Sequence, residues 1–120
     1  MSKYCDVYLL PIAEEKLAEY KKLARSAGKI FVKHGAFRYR EYVVSDLNEE
    51  YGTFSFGKAL KLKPGETIVY AAVEFKSEAH RNKTMKAIFA DPELAKVSPK
   101  DPPFDYKRMV YSGFKVIVDL

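Results

Sequence analysis

The chain has 120 residues, 48% hydrophobic and 31% charged, with 21 lysines and arginines against 16 aspartates and glutamates for a formal charge of +5. This length supports one hydrophobic core and not two, so residues 1–120 are read as a single folded domain, and the apolar content argues against intrinsic disorder. One cysteine, Cys5, excludes an internal disulfide, and no apolar run approaches the roughly twenty residues of a membrane span, so a cytoplasmic location with no membrane partner is expected.

Residues 4–10 alternate between Cys5, Val7 and Leu9 on one side and Tyr4, Asp6 and Tyr8 on the other, which predicts strand one, stopped by Pro11. From Ala13 to His34 the spacing becomes helical, with Leu17, Tyr20, Ala24, Ala27, Phe31 and His34 on one face and Gly35 at the position of a left-handed C-terminal cap. Residues 36–44 return to alternation as strand two. Ser45 to Glu66 reads as a long loop of the kind that covers a site, with Phe54 and Phe56 expected to pack and Pro64-Gly65 marking a turn. Thr67 to Phe75 is strand three, Ser77 caps a second helix running to Ala90, and Asp91-Pro92 ends it. Four prolines in residues 92–108 predict an irregular surface segment, and Met109 to Val118 closes the chain as strand four.

This order predicts an α+β, ferredoxin-like βαββαβ fold, a four-stranded antiparallel sheet with two helices on one face. Parity assigns Cys5, Val7, Leu9, Val69, Val73, Phe75, Phe114, Val116 and Val118 to the helix-facing core. Tyr4, Asp6, Tyr8, Tyr70, Glu74, Tyr111 and Lys115 then fall on the open face. An open face rich in tyrosine and carrying charge asks for a cover, and a second copy of the sheet supplies one. A homodimeric α+β barrel with a semi-polar interior suited to a small ligand is therefore expected.

Three groups of residues carry a resemblance. They are Ala27-Gly28-Lys29 leading into His34-Gly35-Ala36 and Tyr39-Arg40-Glu41; Ser77 with Ala79-His80-Arg81; and Pro103-Phe104-Asp105 with Lys107-Arg108-Met109 and Gly113-Phe114. Over nearly the whole chain they resemble the YbaA-like family of uncharacterised bacterial proteins, a domain of unknown function. The resemblance implies the dimeric α+β barrel architecture and no established activity. Asp6 matches the family's aspartate in strand one, whereas Tyr106 stands where the family pattern has glycine.

Candidate site residues follow from chemistry and placement. His34 and Glu41, separated by a turn and half a strand, form an acid–base pair in one reading. In the other, His34 serves the C-terminal end of its helix and Glu41 pairs with an arginine. Glu41 shares parity with Phe37, Tyr39 and Val43 and so needs a partner, for which Arg108 is the natural candidate. Asp105, Lys107 and Arg108 precede strand four, where Arg108 either clamps an anion bidentately or pins the loop in a structural ion pair. Asp6, Tyr8 and Tyr70 would shape a pocket on the open face. His80 and Arg81 occupy the first turn of the second helix, a place that favours anions but is ordinarily solvated.

Gly52 to Ala59 matches phosphate-loop spacing except at Ala59, where the magnesium-binding hydroxyl is missing, and Leu60 to Lys63 alternates like a strand where a helix is needed. Residues 34–39 echo an RNA-recognition strand but lie on the wrong central strand. His34 and His80 have no carboxylate cluster at ligand spacing, so neither a metal nor a cofactor is expected. The function expected is small-molecule binding by a dimer, extending to cofactor-independent proton transfer on a carbonyl or aromatic compound. The rivals are a non-catalytic binding or stress-response module whose sheet face is only a dimer core, and a nucleic-acid binder using that face. The mild, dispersed charge does not call for nucleic acid.

Overall fold

The structure, a computed structural model, describes residues 2–50 and 54–120. Its strands are β1 (Tyr4–Ala13), β2 (Arg38–Val43), β3 (Glu66–Phe75) and β4 (Val110–Lys115). The helices are α1 (Leu17–Lys33), entered through a 3-10 turn at Glu14–Lys16, the one-turn α2 (Phe56–Ala59), α3 (Glu78–Ala90) and α4 (Pro92–Val97). All pairings are antiparallel in the order β2-β3-β1-β4, the ferredoxin-like arrangement expected from the sequence.

Local signals account for most boundaries. Gly35 at φ +113° ends α1, a conformation that a Cβ disfavours. Ser77 Oγ accepts from the His80 amide at 3.0 Å and starts α3. Strand β1 runs through Pro11 because β4 pairs only as far as Leu9–Val110, so no partner strand there needs a donor. The proline-rich segment is less irregular than expected. Asp91 accepts from the Glu93 amide at 2.8 Å and Pro92 occupies the first helical turn, where its missing N–H costs nothing, giving α4.

The long loop is likewise partly ordered. Ser55 caps α2, and Glu49 binds Lys58 at 2.7 Å and the Ser55 amide at 2.8 Å. Leu60 and Lys61 form a turn, with Lys61 at φ 52°, and Leu62 and Lys63 are irregular, so no alternating strand forms there. Contrary to the expectation that they pack, Phe54 and Phe56 are both exposed, at 83% and 52%, with Phe56 bordering a shallow groove that Ile68 and Tyr70 also line. Gly52 and Thr53 of the phosphate-loop echo lie outside the described residues.

Register corrects the parity of two strands. Tyr4 pairs with Phe75, Asp6 with Val73, Tyr8 with Ala71 and with Tyr111, so the tyrosine and aspartate set of β1 lies on the helix side with the apolar side of β3. The helices pack there, in one cluster of Tyr4, Val73 and Phe75 with Phe31 and Met85 and another of Leu10, Ile12, Val69 and Tyr20. Cys5, Val7, Leu9 and Phe114 therefore belong to the open face with Tyr70 and Glu74. Tyrosine rings bury well when their hydroxyls are bonded, as Tyr4 is by Arg81 of α3, and Asp6 is itself satisfied by the Tyr111 hydroxyl of β4.

Candidate functional site

Two rows of side chains cross the helix-facing side of the sheet. One runs Glu41, Ala71, Tyr8, Tyr111 and the next Tyr39, Val73, Asp6, Gly113, each in the order β2-β3-β1-β4. Small residues at Ala71 and Gly113 leave space for the polar ones beside them.

At the β2 end, Glu41 accepts a hydrogen bond from Tyr20 at Oε1 and from Tyr39 at Oε2. Both phenols have their pKa raised, first by burial and then by the Glu41 charge, so they stay protonated and donate. Tyr20 comes from α1 and Tyr39 from two residues earlier on the same strand face. Gly28 makes this geometry feasible: a Cβ there would stand 2.7 Å from Tyr39 Cδ1. A cavity of about 660 Å³ opens between α1 and the β2 edge of the sheet over these groups. Leu17, Ala24, Val32, Val43 and Val69 supply its apolar walls, and Lys21, Arg25 and Lys29 stand on the α1 side.

The β4 end holds a second polar cluster. Asp6 is 1% exposed, accepts from Tyr111 Oη at 2.9 Å and lies 3.7 Å from Arg81 Nε. Arg81 donates to Tyr4 Oη at 2.6 Å and stacks over the Tyr4 ring, while its Nε has no hydrogen-bond partner among the described residues. Burial pushes the Asp6 carboxyl above its ordinary range, against the pull of Tyr111 and Arg81. Tyr111 is pushed up to about 12 by burial and then by its bond to Asp6. Tyr8 lies between the two clusters, its ring 4.9 Å from that of Tyr111, and burial followed by the Asp6 charge raises its pKa.

The sequence-predicted candidates are thus dispersed. His34 bonds Asp91 through Nε2 at 2.7 Å and caps the end of α1, so it does not meet Glu41. Arg108 grips Glu66 through two bonds, at 2.6 and 2.9 Å, and the Lys61 carbonyl at 3.1 Å, which takes it away from Glu41 and makes it the clamp that ties the long loop to β3. Asp105 accepts from the Lys107 amide at 2.9 Å as a turn cap. Tyr70 lies on the open face, edge to face with Tyr42 at 5.5 Å, and Asp6 and Tyr8 lie beneath the helices. Tyr20 and Tyr39 escaped notice as site residues because a tyrosine on an apolar helix face and another on an apolar strand face read as core, whereas Arg81, weighed with His80 for the free amides of a first helical turn, instead serves Tyr4 and Asp6. A glycine inside α1, Gly28, was the available signal of close approach. Among the described residues no group of three potential ligands could hold a metal.

Comparison with known proteins settles kinship. The model of a protein family of unknown function, DUF1428, matches residues 3–106. The chain belongs to that family. It is 31% identical over 117 residues to the uncharacterized protein YbaA of Escherichia coli strain K12, covering 98% of both chains, and equally to YbaA of Shigella flexneri. Two solved structures share the DUF1428 chain's fold. An uncharacterized NIPSNAP domain protein from Burkholderia xenovorans superposes with TM-score 0.59 at 17% identity, over 92% of this chain and 91% of the other. A dimeric ferredoxin-like protein from an uncultured marine organism superposes with TM-score 0.56 at 11% identity over the whole of both chains.

Proposed function

We propose that this DUF1428 protein binds a small organic molecule in the cavity between α1 and β2, and that Glu41 receives a hydrogen bond or a proton from it. The observation that carries the reading is a carboxylate lining an apolar cavity with both its oxygens braced by phenol donors. Such bracing holds the group in one orientation, and each oxygen keeps a free lone pair for a ligand donor. The chemistry this supports is proton transfer without a cofactor, with Glu41 as the base and Tyr20 and Tyr39 as its positioning residues. His34, Asp105 and Arg108 serve the scaffold in this scheme.

The working form is a homodimer through the open sheet face. Val7, Leu9, Tyr70 and Phe114 share that face, Phe114 is 53% exposed, and Ile117 beyond β4 is 92% exposed. A contiguous apolar surface of this kind favours a cover, and the dimeric ferredoxin-like neighbour gives a precedent in the same fold.

A metabolite screen by thermal shift, run in parallel on wild type and Glu41→Gln, tests the site. Compounds that stabilise the wild type and lose at least tenfold in affinity on Glu41→Gln support it. Equal binding by both proteins, or no stabilising compound in a broad screen, overturns it.

A further inference from the structure

The α1 wall of the cavity has a chemical polarity that the binding proposal leaves unused. Lys21, Arg25 and Lys29 recur every fourth residue and so form one stripe along the helix, beside the apolar wall made by Leu17, Ala24 and Gly28. Three cations face one lining carboxylate, Glu41, which two phenols already engage. Among the described residues none of the three cations has an acidic partner within 4 Å.

Arg25 is the informative member. Of the five arginines, Arg38 pairs with Glu74, Arg40 with the Tyr42 hydroxyl, Arg81 with Tyr4 and Asp6, and Arg108 with Glu66. Arg25 alone has no side-chain partner among the described residues, which leaves its planar fork free to take a carboxylate or phosphate bidentately.

We propose that the cavity ligand is an organic anion with an apolar body, its carboxylate or phosphate head at Arg25 with Lys21 and Lys29, and a hydrogen-bond donor at its far end directed to Glu41. This rests on the cavity reading above and adds the class of ligand. The apolar walls take the body, and like charge disfavours an anionic head beside Glu41 while the three cations favour it at the stripe. A neutral compound leaves the stripe unused, and a cationic one meets three like charges.

The test uses paired probes, 4-hydroxybenzoate, 4-hydroxyphenylacetate and 8-hydroxyoctanoate, each beside its neutral primary amide. They are titrated by calorimetry and by amide chemical shifts at low salt. For at least one pair, the acid is expected to bind about tenfold more tightly than its amide, with shifts at Leu17, Tyr39 and Val43. The preference should fall to about threefold in Arg25→Gln, fall less in Arg25→Lys, which keeps the charge but loses the fork, and vanish in Lys21→Gln/Arg25→Gln/Lys29→Gln. These are exposed positions, so the fold is expected to survive. Acids and amides that bind equally well at the cavity, or a preference that outlasts the triple substitution, overturn the anion assignment and leave the cavity reading standing. Binding by no member of any pair, or shifts confined to other surfaces, overturns both.

Discussion

Gly28→Ala probes the brace around Glu41 with the least chemical change. In an exposed helix interior this substitution stabilises by about 1 kcal/mol, because alanine orders the helix more cheaply than glycine. Here the new Cβ meets Tyr39 Cδ1 at 2.7 Å and Cε1 at 2.8 Å, where ordinary contact begins at 3.4 Å, so the ring must retreat by 3.4 − 2.7 = 0.7 Å. Tyr39 packs on Phe31 with ring centroids 5.4 Å apart and donates to Glu41, so neither direction of retreat is free. Overpacking of this kind costs about 1–3 kcal/mol. The net expectation is a loss of up to about 2 kcal/mol, read as a drop of several degrees in Tm. Urea denaturation of a double-mutant cycle isolates the cause. In a Tyr39→Leu background the clash is relieved, and Gly28→Ala should there stabilise by about 1 kcal/mol, a coupling of roughly 1–3 kcal/mol. Stabilisation of the otherwise wild-type protein by the full 1 kcal/mol, with no coupling to Tyr39, would refute the reasoning.

Gly113→Ala should be more damaging, since its Cβ falls 2.0 Å from Tyr4 Oη and 3.2 Å from Asp6 Oδ1 in a buried cluster; a loss of about 2–4 kcal/mol in chemical denaturation is expected. The Asp91 carboxyl is held below its ordinary range by the His34 hydrogen bond and then by the Glu93 amide and Lys33. A depressed folded-state pKa stabilises fully above the unfolded value near pH 4 and is lost as pH falls below it, so the urea midpoint should drop between pH 5 and pH 2.5, and less steeply in Asp91→Asn. Sedimentation at tens of micromolar should give twice the 13.7 kDa chain mass, and Val7→Asp on the open face should give a monomer with unchanged far-ultraviolet dichroism. A wild-type monomer would remove the dimer from the proposal.

The element order was legible because each signal is local. Helical spacing from Leu17 to Phe31, the αL position at Gly35 and the Ser77 cap are properties of a few consecutive residues. The α4 helix was missed because four prolines were weighed together, although Asp91-Pro92 is a sound cap and first helical turn by itself. The pairings His34–Glu41 and Glu41–Arg108 failed because partner choice among charged groups is non-local. Asp91 and Glu66, the actual partners of His34 and Arg108, are brought close only by the packing of α1 on α3 and α4 and by the fold of the long loop.

Alternation along β1 divides its side chains into two sets without saying which set is covered. Tyr4, Asp6 and Tyr8 have enough polarity to look outward and enough ring surface to lie inward. Their burial depends on Arg81, 77 residues from Tyr4 in the chain, and on Tyr111, 105 residues from Asp6. By itself, the sequence determined the order of the four strands and the two long helices, the ferredoxin-like sheet and the presence of Glu41 on a largely apolar strand face. Tertiary structure decided which side of the sheet the helices cover, and with it that Glu41 meets Tyr20 and Tyr39 beside a cavity. The physical reason is that burial of a polar side chain is a property of its partners, and partners remote in sequence meet only when the chain has folded.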